Sequence, residues 1–172
     1  SDQVVVVQAA LAPRVLAVTP TAESNRLPAV HVAQILFDQE MVADAPDVAE
    51  VMRGVASAAQ PGLVAVDMST IAPAAARKIG EDLALAGVDF IDAPVSGGEV
   101  GAIAGTLSIM AGGSEAAFAR AKTAFECMGK NIVHVGASGA GQVTKAANQI
   151  VTGMGVLAVA EAFAFAAKNG VD

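Results

Sequence analysis

Short apolar runs alternate along most of this chain with longer stretches in which apolar residues recur at helical spacing. From residue 61 onward, apolar runs at 63–67, 88–91, 106–111 and 131–135 predict strands, because such runs bounded by turn residues are typical of buried strands. The stretches between them predict helices that end near Ala86 and Cys127. Strands that alternate with helices predict an α/β fold whose sheet becomes mixed near its end.

Capping residues mark the ends of these helices. Ser69 and Thr70 offer hydroxyls before an early helical proline, Pro73, and Gly87 fits the C-terminal cap of the same helix. Ser114 is a predicted N-cap for the helix that ends near Cys127. The segment 92–101, rich in small residues, is interpreted as a loop.

The first 60 residues are less regular. Residues 4–7 predict a central strand, and residues 45–59 predict a helix with Pro46 at its start. Between them lie three prolines and one good helical stretch, at about 29–37. We therefore divide the chain into residues 1–138, a sheet domain whose first 43 residues are atypical, and residues 139–172, a long helix.

The longest apolar run extends from Gly141 to Asn169 and carries only three charges, one of which is Lys145. Gly141, Lys145 and Asn148 share one face of this helix. A cation near a helix N-terminus opposes the helix dipole, so stability does not require Lys145 and chemistry is a candidate reason for it. The alternative is a solvated lysine at the start of a helix.

The same run raises the question of a membrane span at 146–167. It contains Asn148, Gln149, Thr152 and Glu161, and alanine dominates over Leu and Ile. We therefore favour a helix buried in protein over a helix in a membrane.

Composition excludes several classes of protein. The 172 residues are 54% hydrophobic and 16% charged, which excludes a disordered chain. The net charge of −7, with no basic run, argues against a nucleic-acid partner. A lone cysteine, Cys127, fits a reducing compartment and a cytoplasmic protein, and we expect its thiol to be buried or half-buried.

No spacing of His, Cys, Asp and Glu resembles a metal site. His134 is expected to be a satisfied core or edge histidine, whereas His31 lies in the irregular region. Asp67 and Asp92 each end a predicted strand at the carboxyl edge, where α/β proteins bind ligands. Capping of a following turn is the favoured role for both, and a site role is the alternative.

Four motifs occur in one order along the chain: Val66-Asp-Met-Ser-Thr-Ile-Ala-Pro73, Asp92-Ala-Pro-Val-Ser-Gly-Gly98, Gly105-Thr-Leu-Ser-Ile-Met-Ala-Gly-Gly113 and Gly139-Ala-Gly-Gln-Val-Thr-Lys-Ala-Ala-Asn148. Together they resemble the β-hydroxyacid dehydrogenase family, which includes 3-hydroxyisobutyrate dehydrogenase, tartronate semialdehyde reductase and the more distant 6-phosphogluconate dehydrogenase. The resemblance covers about three quarters of the chain, from Asp44 onward. The resemblance implies a Rossmann-like, doubly wound sheet.

The resemblance also implies roles for individual residues. Ser96, Gly97 and Gly98 match the loop that holds the substrate carboxylate, and glycine does allow backbone N–H groups to close on an anion. The alternative for this loop is a tight turn joining two elements.

Lys145 matches the family's catalytic lysine, which protonates the carbonyl oxygen or stabilises the alkoxide in the reverse direction. Asn148 matches the residue that orients the substrate oxygen. Thr70 matches a position near the nicotinamide end of the cofactor, and its alternative role as a helix N-cap is compatible with that contact.

The chain departs from the family pattern at both ends. It shows no strand followed by Gly-x-Gly-x-x-Gly, so we expect a sheet that lacks its first βαβ unit. Gln8-Ala9-Ala10 stands where the family has Leu-Pro, and the sequence ends where the family continues into a helical domain. Gly153-Met-Gly155-Val-Leu-Ala158 resembles a dinucleotide motif but follows no strand, so we interpret its glycines as allowing close helix packing.

These observations predict an NAD- or NADP-dependent oxidoreductase that acts on a small 3-hydroxy acid or semialdehyde and forms a homo-oligomer through the apolar face of the long helix. The alternatives are a non-catalytic remnant or fragment with a structural role, and a relative that reduces imines or binds protein. The intact pair of Lys145 and Asn148 argues against the imine alternative. Neither the hydroxy acid nor the choice of NAD over NADP follows from the sequence.

Overall fold

The fold is an α/β sheet with helices on both faces and one long helix that leaves it. The computed structural model describes residues 3–7, 44–59 and 62–171. In chain order, the elements are β1 Gln3–Val7, α1 Ala45–Ser57, β2 Leu63–Asp67, α2 Pro73–Leu85, β3 Asp89–Asp92, β4 Val95–Ser96, α3 Gly98–Ala104, β5 Leu107–Gly112, α4 Glu115–Met128, β6 Gly129–Gly136 and α5 Ala140–Lys168.

The sheet begins as a parallel sheet and then changes direction, as the sequence predicts. Strands β1, β2 and β3 are parallel, and their last residues, Val7, Asp67 and Asp92, are register partners. Strands β3 and β4 both run antiparallel to β5, and β6 pairs with β5 in parallel. The carboxyl ends of the three parallel strands therefore meet at one edge, where α/β proteins bind ligands.

Strand β2 lies at the centre of two apolar clusters, one on each face of the sheet. Leu63 and Ala65 pack with α1 and α2, whereas Val64 and Val66 pack with α4 on the opposite face. All five residues of β2 are buried, which explains why the first four are apolar. The glycine- and alanine-rich sequence thus forms three layers.

Several predicted boundaries are wrong in detail. The segment 92–101 is not a loop throughout, because it contains β4 and the start of α3. The predicted hydroxyl caps of α2 are also wrong: its N-cap is Ala72, which makes no side-chain hydrogen bond. Ser114 does cap α4, since its hydroxyl accepts from the Ala117 N–H at 3.1 Å. The predicted helix at 29–37 and His31 lie outside the described residues.

Helix α5 starts against the sheet and then extends away from it. Its buried residues are Gly141 and Gln142, near the N-terminus. Beyond Asn148 nearly every residue is exposed, including Phe163 at 73% and Phe165 at 72%. The expectation that 146–167 is buried in protein is therefore not met within the part of the chain described here. By length and composition alone α5 could cross a membrane, which for a single helix is a weak indication.

Candidate active site at the start of the long helix

The carboxylate of Asp92 anchors the N-terminus of α5 to the sheet. It accepts the Gly139 N–H at 2.6 Å and the Gln142 N–H at 2.9 Å. Asp92 is fully buried, and this burial raises the pKa of its carboxyl group, while the two N–H donors oppose that shift. A carboxylate at a helix N-terminus is stabilised by the helix dipole. Asp92 thus caps a helix 47 residues further along the chain rather than the turn that follows it.

Two glycines allow this close approach. A Cβ at Gly141 would overlap the carbonyl oxygen of Met110 and would lie 2.5 Å from the carbonyl oxygen of Asp92. A Cβ at Gly112, on the adjoining strand, would lie 2.7 Å from the backbone nitrogen of Gly141. Helix α5 therefore starts with its backbone in contact with the strands, which fixes the height and rotation of its first turns.

Gln142 connects the same helix to the loop that follows β2. Its side-chain amide donates to the Ser69 carbonyl at 2.7 Å and accepts the Ile71 N–H at 3.1 Å. Gln142 is buried, with only 1% of its surface accessible to solvent. Sequence reasoning missed this residue, although a glutamine in an otherwise apolar helix start was the available signal.

Lys145 and Asn148 are half-buried and follow the buried residues Gly141 and Gln142 along one face of α5. Partial burial lowers the pKa of the Lys145 ammonium. A lysine that loses its proton more readily is better suited to exchange a proton with a substrate oxygen. The structure thus places both residues on one helix face, as predicted, and Gly141 lies one turn earlier on that face, in contact with the sheet.

Thr70 is the exposed residue between the two backbone groups that Gln142 holds. Since α2 begins at Pro73 with Ala72 as its N-cap, the alternative role of Thr70 as that cap is wrong. Its side chain lies at the carboxyl edge of the parallel strands, immediately beyond β2. The loop that carries Thr70 is therefore fixed to the helix that carries Lys145.

Ser96, Gly97 and Gly98 lie where β4 ends and α3 begins. Ser96 pairs with Ser108 of β5 and is half-buried, while Gly97 and Gly98 are exposed. Their φ angles of 135° and 59° favour glycine, so the backbone here depends on both residues lacking a side chain. No hydrogen bond within the described residues joins this segment to Lys145.

Asp67 has one carboxylate oxygen without a partner among the described residues. Its Oδ1 accepts the Ser69 N–H at 2.9 Å, which forms the predicted turn cap, while Oδ2 has no hydrogen-bond partner there. Burial is the largest cause of a pKa raised from 3.8 to about 6, and the Asp92 charge adds to the shift. With no exposed surface, this carboxyl has no route to a substrate and belongs to the support of the Ser69–Ile71 loop.

The remaining predictions have mixed outcomes. Nε2 of His134 lies 2.8 Å from the Gly113 carbonyl and its ring stacks on Phe118, so His134 is a satisfied histidine. Cys127 is exposed rather than buried, because it lies outside the apolar stripe of α4. A Cβ at Gly153 or Gly155 would meet nothing within 4 Å, so neither glycine packs closely against another described residue. Within the described ranges no group of three metal-ligating side chains occurs.

Comparisons with known proteins match nearly the whole chain to two family models. Residues 7–136 match the family model described as the NAD binding domain of 6-phosphogluconate dehydrogenase. Residues 139–172 match the model described as NAD-binding of NADP-dependent 3-hydroxyisobutyrate dehydrogenase. The chain is 49% identical to 2-hydroxy-3-oxopropionate reductase of Escherichia coli over 135 residues, which are 77% of this chain and 46% of that protein.

Two further similar proteins are both named 3-hydroxyisobutyrate dehydrogenase. The chain is 51% identical to 3-hydroxyisobutyrate dehydrogenase of Pseudomonas aeruginosa over 107 residues, covering 62% of this chain and 36% of that protein. The solved 3-hydroxyisobutyrate dehydrogenase of Mycobacterium tuberculosis with L-serine superposes with a TM-score of 0.73 at 39% identity, over 77% of this chain and 45% of that one. Imine reductases, at about 20% identity, share the fold alone. The chain spans between about a third and a half of the length of these relatives, and it belongs to the β-hydroxyacid dehydrogenase family.

Proposed function

We propose that this chain forms the Rossmann-like core of an NAD- or NADP-dependent dehydrogenase that interconverts a small 3-hydroxy acid and its semialdehyde. The observation that carries the proposal is the half-buried Lys145, with its lowered pKa, on a helix start that Asp92 and Gln142 fix to the ligand-binding edge of the sheet. The relatives named above supply the class of substrate.

The described residues fit one end of a nicotinamide cofactor. In this proposal the Thr70 hydroxyl donates to the nicotinamide or its ribose; Thr70 is exposed and follows β2 at the edge where this fold binds dinucleotides. When bound, the nicotinamide takes up or supplies the hydride. Within residues 3–7, 44–59 and 62–171, no strand is followed by the Gly-x-Gly-x-x-Gly turn that holds the pyrophosphate in dinucleotide-binding folds.

In this proposal the chain's own residues hold the substrate and move one proton. The exposed backbone of Gly97 and Gly98 and the Ser96 hydroxyl bind the carboxylate, while the Asn148 amide orients the substrate oxygen. During oxidation the hydroxyl proton passes to a neutral Lys145 amine as hydride leaves the carbon. During reduction the Lys145 ammonium returns that proton to the carbonyl oxygen. The lowered pKa of Lys145 makes its neutral form easier to reach.

The test is turnover by the polypeptide as its gene encodes it. The assay follows reduced nicotinamide during oxidation of 3-hydroxyisobutyrate, glycerate and L-serine with NAD or NADP, alongside calorimetric titration with each dinucleotide. Turnover of at least one hydroxy acid supports the proposal. A folded protein that binds none of the dinucleotides and turns over none of the substrates contradicts it and favours a non-catalytic remnant.

We also infer that the apolar surface of α5 is covered by a second copy of the chain. Ile150, Phe163 and Phe165 are each at least 67% exposed, and an apolar surface of this kind marks an interaction site. Light scattering coupled to size exclusion is expected to give at least a dimer. A monomer at high protein concentration contradicts the inference.

We also propose a cytoplasmic location for this protein, which its lone thiol, Cys127, supports.

A further inference from the structure

Gln142 occupies a position between the two halves of the candidate site. It precedes Lys145 by three residues, or nearly one turn of α5, so the two side chains project from adjacent turns. Its side-chain amide holds the backbone on both sides of Thr70, through the Ser69 carbonyl and the Ile71 N–H. One residue therefore joins the segment that faces the cofactor to the helix that carries the proposed acid.

The third hydrogen bond of Gln142 fixes its own backbone. Its N–H donates to Oδ2 of Asp92 at the end of β3. The side chain therefore projects from a helical turn that is hydrogen-bonded to the sheet. The position of the loop after β2 depends on that turn, because the Gln142 side chain binds the loop. Tertiary contacts of this kind hold a loop at one distance, whereas the Ser69–Ile71 segment alone has no regular structure.

The side-chain amide of Gln142 satisfies both loop groups at neutral pH. The Ser69 carbonyl needs a donor and the Ile71 N–H needs an acceptor, and a glutamine supplies one of each. A glutamate supplies acceptors alone, and a methionine of similar length supplies no strong donor or acceptor. Burial makes the loss of either bond costly, because water cannot replace it.

From this geometry we propose that Gln142 is a positioning residue that sets the distance between the nicotinamide-facing Thr70 loop and Lys145, and hence the alignment of hydride and proton transfer. The inference rests on the proposed function for its catalytic consequence. Its structural part, the link between loop and helix, stands on the hydrogen bonds alone.

The first measurement is amide hydrogen exchange at Ile71 in the wild type and in Gln142→Met, with the amides of β2 as the internal reference for global unfolding. Loss of the bond is expected to speed exchange at Ile71 about fivefold to tenfold relative to β2. Gln149→Met is the matched control, since Gln149 is an exposed glutamine on the same helix. Unchanged exchange at Ile71 in Gln142→Met, or an equal increase in Gln149→Met, overturns the link.

The second measurement, of kcat and KM, distinguishes a role of Gln142 in positioning the reacting groups from a role in stability alone. In the polypeptide as its gene encodes it, Gln142→Met is expected to lower kcat about 10- to 100-fold, because small misplacements of reacting groups have effects of this size. The KM for the hydroxy acid is expected to stay within about threefold, and the deuterium isotope effect on kcat to rise. A kcat equal to that of the wild type, or a rise in KM with kcat retained, overturns the positioning role.

Gln142→Glu serves if the methionine variant does not fold. Once ionised, the glutamate keeps the acceptor for the Ile71 N–H but lacks the donor for the Ser69 carbonyl, so Ile71 is expected to stay protected while kcat falls. Because burial favours the protonated form, which can donate, kcat is measured as the pH is raised until the carboxylate is ionised. Wild-type kcat with the carboxylate ionised overturns the proposal. If the wild type itself turns over no hydroxy acid, the proposed function has failed, and exchange at Ile71 in Gln142→Met then decides the link between loop and helix.

Discussion

Replacing Gly141 with alanine, at the start of α5, should destabilise the protein, whereas the same replacement at Gly153 further along the helix should not. In Gly141→Ala the new Cβ would overlap the Met110 carbonyl oxygen and lie 2.5 Å from the Asp92 carbonyl oxygen and 2.9 Å from Asp92 Oδ2. Two of these three neighbours are backbone atoms, which cannot rotate away. The helix must therefore move off the sheet and lengthen the bonds from Gly139 and Gln142 to Asp92.

The expected change in the free energy of unfolding of Gly141→Ala is the sum of opposing contributions. Overpacking of this kind costs about 1–3 kcal/mol. Weakening the buried cap adds about 1 kcal/mol. The replacement of a helical glycine by alanine returns about 0.5–1 kcal/mol. Gly141→Ala should thus reduce the free energy of unfolding by about 1–3 kcal/mol, which corresponds to a fall in Tm of about 2–12 °C for a domain of this size.

Gly153 provides a matched control on the same helix. A Cβ there meets nothing within 4 Å, so Gly153→Ala should keep only the helical gain and raise stability by about 0.5–1 kcal/mol. Thermal and urea unfolding, followed by circular dichroism, measure both variants. Opposite signs are expected; equal effects, or a stabilised Gly141→Ala, would refute the close contact of α5 with the sheet.

Three further predictions concern Asp67, Ser114 and Ser96. The folded pKa of Asp67 is raised to about 6, so its stabilising effect is full below its unfolded pKa and is lost as pH rises through about 6. Relative to Asp67→Asn, the wild type should therefore lose up to about 3 kcal/mol of unfolding free energy between pH 4 and pH 8, and parallel pH profiles would count against this titration. Ser114→Ala should lower stability by about 1 kcal/mol through loss of the α4 cap, and an unchanged urea midpoint would exclude that cap. Ser96→Ala should raise the KM for a hydroxy acid about tenfold with a smaller effect on kcat, and an unchanged KM would remove Ser96 from the carboxylate site.

Local patterns predicted the elements that local forces determine. Strand β2 was predicted residue for residue, because its four apolar residues and Asp67 follow a Pro-Gly pair and are too few for a helix. Ser114 was predicted because an N-cap bonds within its own first turn. The Lys145 and Asn148 face follows from helical spacing alone.

The supports of the site could not be predicted in the same way. Asp92 and Gly139 are 47 residues apart, and Gln142 and Ser69 are 73 apart, so no local pattern connects them. A carboxylate at a strand end predicts a cap for the next turn, and only the tertiary fold shows that Asp92 caps α5 instead. Helix α3 was missed because three glycines within 97–101 hide any apolar period.

The proposed catalysis depends on proton exchange between Lys145 and the substrate oxygen. The most direct measurement compares turnover of a hydroxy acid by the wild type, Lys145→Ala and Lys168→Ala, the latter an exposed lysine at the far end of the same helix. We expect a loss of about 10²- to 10⁴-fold in kcat for Lys145→Ala, with retained fold, and wild-type turnover for Lys168→Ala. Turnover retained in a folded Lys145→Ala would show that Lys145 is not the proton donor and acceptor.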